Sequence, residues 1–160
     1  MHIQNTEFSY HNLLRDQRYD ILADELYFNG RFSDESYTMA VYGQGEVHDI
    51  SIRGTTYLEN RHVDVDTDLD ITASSERYAF RKGNLIIDKT LDFKVSGAFE
   101  GDGIDLRILG SELDIIKTLS LIPIETRSAF DDYTSSGELS FDCTLKGAFG
   151  KTDNPNFEAT

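Results

Sequence analysis

His62-Val63-Asp64-Val65-Asp66-Thr67-Asp68-Leu69-Asp70-Ile71-Thr72 decides the fold class. Successive side chains of an extended strand point to opposite faces, so this stretch places Val63, Val65, Leu69 and Ile71 on one side. Asp64, Asp66, Asp68 and Asp70 fall on the other. The spacing predicts a strand with one apolar face and one acidic face in water. A row of like charges is mildly repulsive, so Lys or Arg on an adjacent strand is the expected compensation.

The same period-two signal runs outward over Ile3–Tyr10, Tyr19–Phe28, Ser36–Gly43, Glu46–Tyr57, Arg77–Lys82, Asn84–Ile87, Leu91–Phe99, Ile104–Leu109 and Glu138–Phe149. Asn29-Gly30, Gly43-Gln44-Gly45, Arg53-Gly54, Lys82-Gly83-Asn84 and Glu100-Gly101-Asp102-Gly103 read as tight connections, and Gly150–Asn156 as a turn before a last strand. Strands joined this tightly are antiparallel. His11–Gln17 reads as a polar loop.

One segment breaks the pattern. Ser111-Glu112-Leu113-Asp114 opens an apolar run with the Ser-x-x-Asp spacing of a helix start, in which Ser111 caps the amide of Asp114. Leu113, Ile116 and Leu119 would then share a helical face, and Pro123 would stop the helix by removing a donor and crowding the preceding turn. Ile124–Tyr133 is either a second short helix or irregular. The fold class expected is therefore mainly β: a curved antiparallel sheet, open as a groove or closed as a sandwich, with one or two short helices. At 160 residues, with two prolines and no Ser-rich linker, residues 1–160 form a single β-rich module.

Composition narrows the function. Acids number 29 against 15 scattered bases, a net charge of −14, which disfavours nucleic acid as a partner and opposes an anionic membrane surface. The lone Cys143 allows no intrachain disulfide framework. Met1–Glu7 lacks the basic start and apolar run of an export signal, and no stretch of about 18 apolar residues is present.

Catalytic and metal motifs fare poorly. Asp64-Val65-Asp66-Thr67-Asp68 has the opening of a calcium loop, but Leu69 stands where the turn glycine belongs and Ser75 where the bidentate Glu belongs. Along a strand these carboxylates lie about 6.7 Å apart, too far to share an ion unaided. His2, His11, His48 and His62 are far apart in sequence, and no metal or other cofactor is expected. Cys143 alternates with Leu139, Phe141 and Leu145, the pattern of a buried, inert thiol. No catalytic constellation emerges, and the reading is non-enzymatic. Eight tyrosines and ten phenylalanines suit cross-strand pairs, with a sugar-stacking platform as a weaker alternative.

The run from Leu113-Asp114-Ile115 through Leu119-Ser120-Leu121-Ile122-Pro123, followed by Ser135-Ser136-Gly137-Glu138-Leu139-Ser140-Phe141-Asp142-Cys143-Thr144-Leu145-Lys146-Gly147 and the closing Asn154-Pro155-Asn156-Phe157-Glu158-Ala159-Thr160, resembles the C-terminal region of AsmA-family envelope proteins, in particular Bacteroidota-type sequences. The resemblance is sharpest over Gly110–Thr160 and looser over Phe8–His11 and Ala23–Gly30. It implies a periplasm-facing protein built of β-sheet modules and related to bridge-like lipid transfer proteins, with an inner-membrane anchor in a longer parent chain. Under it, the expected function is phospholipid transport or outer-membrane biogenesis through an apolar β-groove lined by Val63, Val65, Leu69, Ile71, Leu139, Phe141 and Leu145. The expected partners are phospholipid acyl chains and neighbouring β-modules of the same parent. The rivals are a structural or interaction module without lipid cargo and a carbohydrate-binding sandwich.

Overall fold

The structure, a computed structural model, describes residues 1–14, 16–32, 35–101, 103–121, 136–148 and 156–160. Its strands are β1 (His2–Asn12), β2 (Gln17–Phe32), β3 (Ser36–Ile52), β4 (Thr55–Thr72), β5 (Arg77–Ile87), β6 (Leu91–Glu100), β7 (Gly103–Asp114), β8 (Glu138–Ala148) and β9 (Asn156–Ala159). All pair antiparallel in one nine-stranded sheet whose spatial order is the chain order. The fold is therefore mainly β, an open meander with β1 and β9 at its edges. It is not a sandwich, because all the described strands belong to one sheet.

Long alternating runs account for the long strands, and short left-handed turns account for their reversals. Arg53 and Gly54 both have positive φ, 53° and 76°, the combination that lets a two-residue turn follow the natural twist of β3 and β4. Elsewhere the glycine-rich signals behave differently from the sequence expectation. Asn29-Gly30 lies inside β2, Gly43-Gln44-Gly45 inside β3 and Lys82-Gly83-Asn84 inside β5, with register shifts opposite Gln44-Gly45 and beside Gly83. At Gly43 and Gly45 the reason is close approach of backbone: an added Cβ would run into the carbonyl oxygens of Glu25 and Leu22. Ser36–Gly43 and most of Glu46–Tyr57 are thus one strand, as are Arg77–Lys82 and Asn84–Ile87, and Tyr57 belongs to β4 with His62–Thr72.

The helix also starts later than expected. β7 continues to Asp114 through a bulge between Gly110 and Leu113, where Glu112 takes φ 54° and donates its amide to Ser140 Oγ at 3.0 Å. Leu113 pairs with Leu139 and is 2% exposed. Burying Leu113 in the sheet gains more than a helical turn would, so the cap falls to Asp114. Its carboxylate accepts from the Lys117 amide at 3.0 Å and opens α1 (Ile115–Leu119). Leu113, Ile116 and Leu119 consequently do not share a helical face, and Ile116 is exposed. Pro123, Ile124–Tyr133 and most of Gly150–Asn156 lie outside the described residues.

Burial is spread over the sheet, with Ala23, Val41, Val47, Ala79, Ile104, Leu106 and Cys143 buried at separate positions and one packed cluster among them. Ile87, Leu91, Phe93 and Leu113 form a buried cluster, with Leu58, Val63, Leu85, Ile108, Leu121 and Phe141 packed around it. Arg61 ties α1 to this end of the sheet, since its guanidinium reaches Asp88 at 2.7 Å and the Ser120 carbonyl at 3.0 Å. The total accessible surface is 10727 Å². A compact protein of this mass would expose about 8,100 Å². The excess of about a third accords with the single sheet layer that the described strands form.

Candidate functional site

Cross-strand register sets which side chains share a face. On β4, Val63, Val65, Leu69 and Ile71 stand opposite Ile87, Leu85, Phe80 and Tyr78 of β5, and opposite Gly45, Gly43, Met39 and Tyr37 of β3. The register continues through Leu91, Phe93, Val95 and Phe99 of β6 to Gly110, Ile108, Leu106 and Ile104 of β7. Leu139, Phe141, Cys143 and Leu145 of β8 complete the row. All the lining residues expected from sequence thus lie on one face, in two groups separated by β5–β7. Four strand spacings of about 4.8 Å put the groups about 19 Å apart.

Between the groups, β5, β6 and β7 supply apolar residues that the expected lining omits, chiefly Phe80, Leu85, Phe93, Val95 and Leu106. Their signal was available as alternation in those strands. Val63 and Phe141 pack at the margin of the buried cluster. Val65, Leu69, Ile71, Leu139 and Leu145 are only partly buried. The face therefore has a packed end beside α1, further buried positions at Val41, Thr67, Ile104, Leu106 and Cys143, and partly exposed side chains between them. Register shifts in the β2–β3, β3–β4, β4–β5, β5–β6 and β7–β8 pairs bend the strands along it.

The opposite face is polar and carries the expected charge compensation. Lys82 Nζ lies 2.8 Å from Asp66 and Arg81 3.0 Å from Asp70, both reaching from β5 to β4. Thr38 donates to Asp70 from β3, and His62 lies 3.6 Å from Asp64. Asp66 and Asp70 of the row are thus the ones neutralised by cations of β5. Arg107 holds Asp142 with two hydrogen bonds across β7 and β8, which keeps that carboxyl below its ordinary range. Asp20 is held down first by the Ser9 hydroxyl and then by Arg18. Burial, and then the nearby Asp142 charge, push the Cys143 thiol up, so it is a poor nucleophile.

Aromatic rings on the polar face stack on one another. His2 lies on Tyr27 at 4.2 Å between ring centroids, and Tyr27 on Tyr42 at 5.0 Å. Glu25 accepts from the Tyr27 hydroxyl at 2.6 Å, which locks the middle ring. Both faces of the Tyr27 ring are thus covered by its neighbours, whereas sugar stacking uses an open ring face.

Among the described residues no group of His, Cys, Asp or Glu has the geometry of a metal site. No helix among them is long and apolar enough to cross a membrane. Comparison with protein-family models, curated proteins and solved structures found no match.

Proposed function

We propose that this chain is a non-enzymatic envelope module of the AsmA-like kind that holds lipid acyl chains against its apolar sheet face. In this reading the parent protein is anchored in the inner membrane, and the module works in the periplasm in phospholipid transport or outer-membrane biogenesis. One observation carries the reading: an apolar face continuous across the sheet keeps Val65, Leu69, Ile71, Leu139 and Leu145 partly exposed among the described residues. Water-facing apolar area of this size is costly unless something apolar visits it. A segment of ten methylenes covered on one side, at about half of the 0.8 kcal/mol for full burial, gains about 4 kcal/mol. Such an interaction retains a chain and also releases it, as transport requires.

A second reading, a structural module without cargo, draws on the sheet edges. Because spatial order follows chain order, strands of a neighbouring module on the parent chain would continue the same sheet by main-chain pairing at β1 or β9.

The two readings separate by native mass spectrometry and lipid extraction of the purified chain. Copurifying phospholipid, lost in a folded Leu69→Gln/Leu145→Gln variant, is the result expected of the lipid reading. A lipid-free, folded wild type would overturn it and leave the structural module.

A further inference from the structure

The end of the sheet that leads outermost has an apolar point. β3 and β4 run on past the level of Ile87, which pairs with Val63, to their turn at Arg53-Gly54. The eight residues from Thr55 to His62 extend that hairpin roughly 25 Å beyond the end of β5. β1 and β2 follow β3 to this end, since Gln17 pairs with Ile52. At their turn, Leu13 and Leu14 are each 94% exposed.

Two side-by-side leucines with almost no contact are unusual on a surface otherwise rich in acids. They are also held in place. The Leu14 amide donates to Asn12 Oδ1 at 3.1 Å, and the Arg53 amide donates to the Asp16 carbonyl at 2.7 Å, locking the two hairpin tips together. Behind the leucines stand Tyr10 and, on β4, Tyr57, both about half exposed. Exposed arginines at this end are Arg18 and Arg53. The described connections at the other end of the sheet carry Glu35, Glu76 and Glu100 instead. Arg18 is paired with Asp20 and Asp49, and the exposed Asp16 stands beside Arg53.

Leucines at the point, tyrosines one step behind and arginines beside them match the layering of a phospholipid interface: acyl boundary, headgroup level and phosphate. We propose that the β1–β2 hairpin tip docks the protein on a phospholipid bilayer by inserting Leu13 and Leu14, with Tyr10 and Tyr57 at headgroup depth and Arg53 beside the phosphates. The occupant is a lipid surface and not a protein groove, because the exposed apolar area is a narrow projecting point. A groove-binding element would present a stripe of side chains. This inference rests on the lipid-handling reading above and adds where that face meets the membrane: Tyr10 pairs with Tyr19, Tyr19 with Ile50, and Ile50 with Leu58, which packs against the buried cluster of the apolar face.

The test is flotation of the purified chain with phosphatidylcholine vesicles containing a minor fraction of phosphatidylglycerol, comparing wild type with Leu13→Ser/Leu14→Ser. Both leucines lie outside the core, so circular dichroism and thermal melts of the variant should match the wild type. The expected result is vesicle binding by the wild type and a loss of about tenfold in the variant, equivalent to about 1.4 kcal/mol. Equal binding by both proteins would overturn the proposal, as would a wild type that ignores vesicles. A wild type that self-associates through these leucines, with a monomeric variant and no vesicle binding, would also overturn it, in favour of a protein contact. Leu69→Gln/Leu145→Gln separates this outcome from the cargo reading, because that variant should lose copurified lipid and still float with vesicles. Copurified lipid without flotation sinks docking alone, and flotation without copurified lipid sinks the cargo alone.

Discussion

Leu113→Ala and Leu69→Ala should differ sharply in cost, although both remove the same atoms from the same face of the same sheet. Leu113 is 2% exposed among Ile87, Leu91 and Phe93. Losing three methylene equivalents at about 0.8 kcal/mol each removes about 2.4 kcal/mol of transfer energy. The closed surroundings leave a cavity, which brings the expected loss to about 3–4 kcal/mol. Leu69 lies in register with Met39 and Phe80 and is partly exposed, so about half the transfer term applies and water fills the space. Its expected cost is about 1.2 kcal/mol. Urea unfolding followed by far-ultraviolet circular dichroism measures both, with an unchanged denaturant slope showing that the folded state is preserved. Equal losses near 3 kcal/mol would refute the reasoning, because Leu69 would then be roofed like Leu113 and its part of the face would not be open.

Gly110→Ala should destabilise by about 1–3 kcal/mol through overpacking. Its Cβ would meet Leu113 Cδ1 at 2.5 Å and Phe141 Cε1 at 2.8 Å, and a Phe141→Leu background should recover part of the loss in the same urea assay. The hydrogen bond from Arg107 holds the Asp142 carboxyl below its ordinary range, and a lowered carboxyl stabilises the fold above its unfolded pKa. That contribution disappears as pH falls through the lowered value, so melting temperature should drop below about pH 4, and less steeply in Asp142→Asn. Cys143 should resist a thiol reagent at pH 8 in the native protein and react at once in urea; fast native labelling would contradict its burial.

Much of this architecture is visible in single stretches of chain. The valine and aspartate alternation of His62–Thr72 yields β4, its buried and wet faces, and the demand for cations that Lys82 and Arg81 meet. Arg53-Gly54 is legible because a two-residue turn needs positive φ at both positions. Failures come where one local signal has two physical meanings. Glycine permits a turn and also permits close approach of strands, and at Gly43 and Gly45 the second use wins through neighbours distant in sequence. Ser111-Glu112-Leu113-Asp114 has real capping potential, yet the pull on Leu113 from Leu91 and Phe93 is non-local and shifts the cap by three residues. The site follows the same rule. Alternation identifies β4 and β8 as lining strands, but only register shows that β5–β7 bridge them. Leu13 and Leu14 pass unnoticed inside a polar loop, where their adjacency is a signal that periodicity does not weigh.

Chain order and spatial order coincide from β1 to β9, and that makes the molecule behave as a one-dimensional lattice. Each strand draws its main-chain bonds from the strands before and after it, so free energy accumulates pair by pair, as in stacked repeats. Hairpins near the cluster of Leu91 and Leu113 should protect their amides longest against exchange, with protection fading toward β1. Growth follows the same arithmetic: a duplicated hairpin widens the sheet by about 10 Å without disturbing any existing partner. Width is thus a quantity that simple duplication can tune, and with it the length of apolar surface on offer.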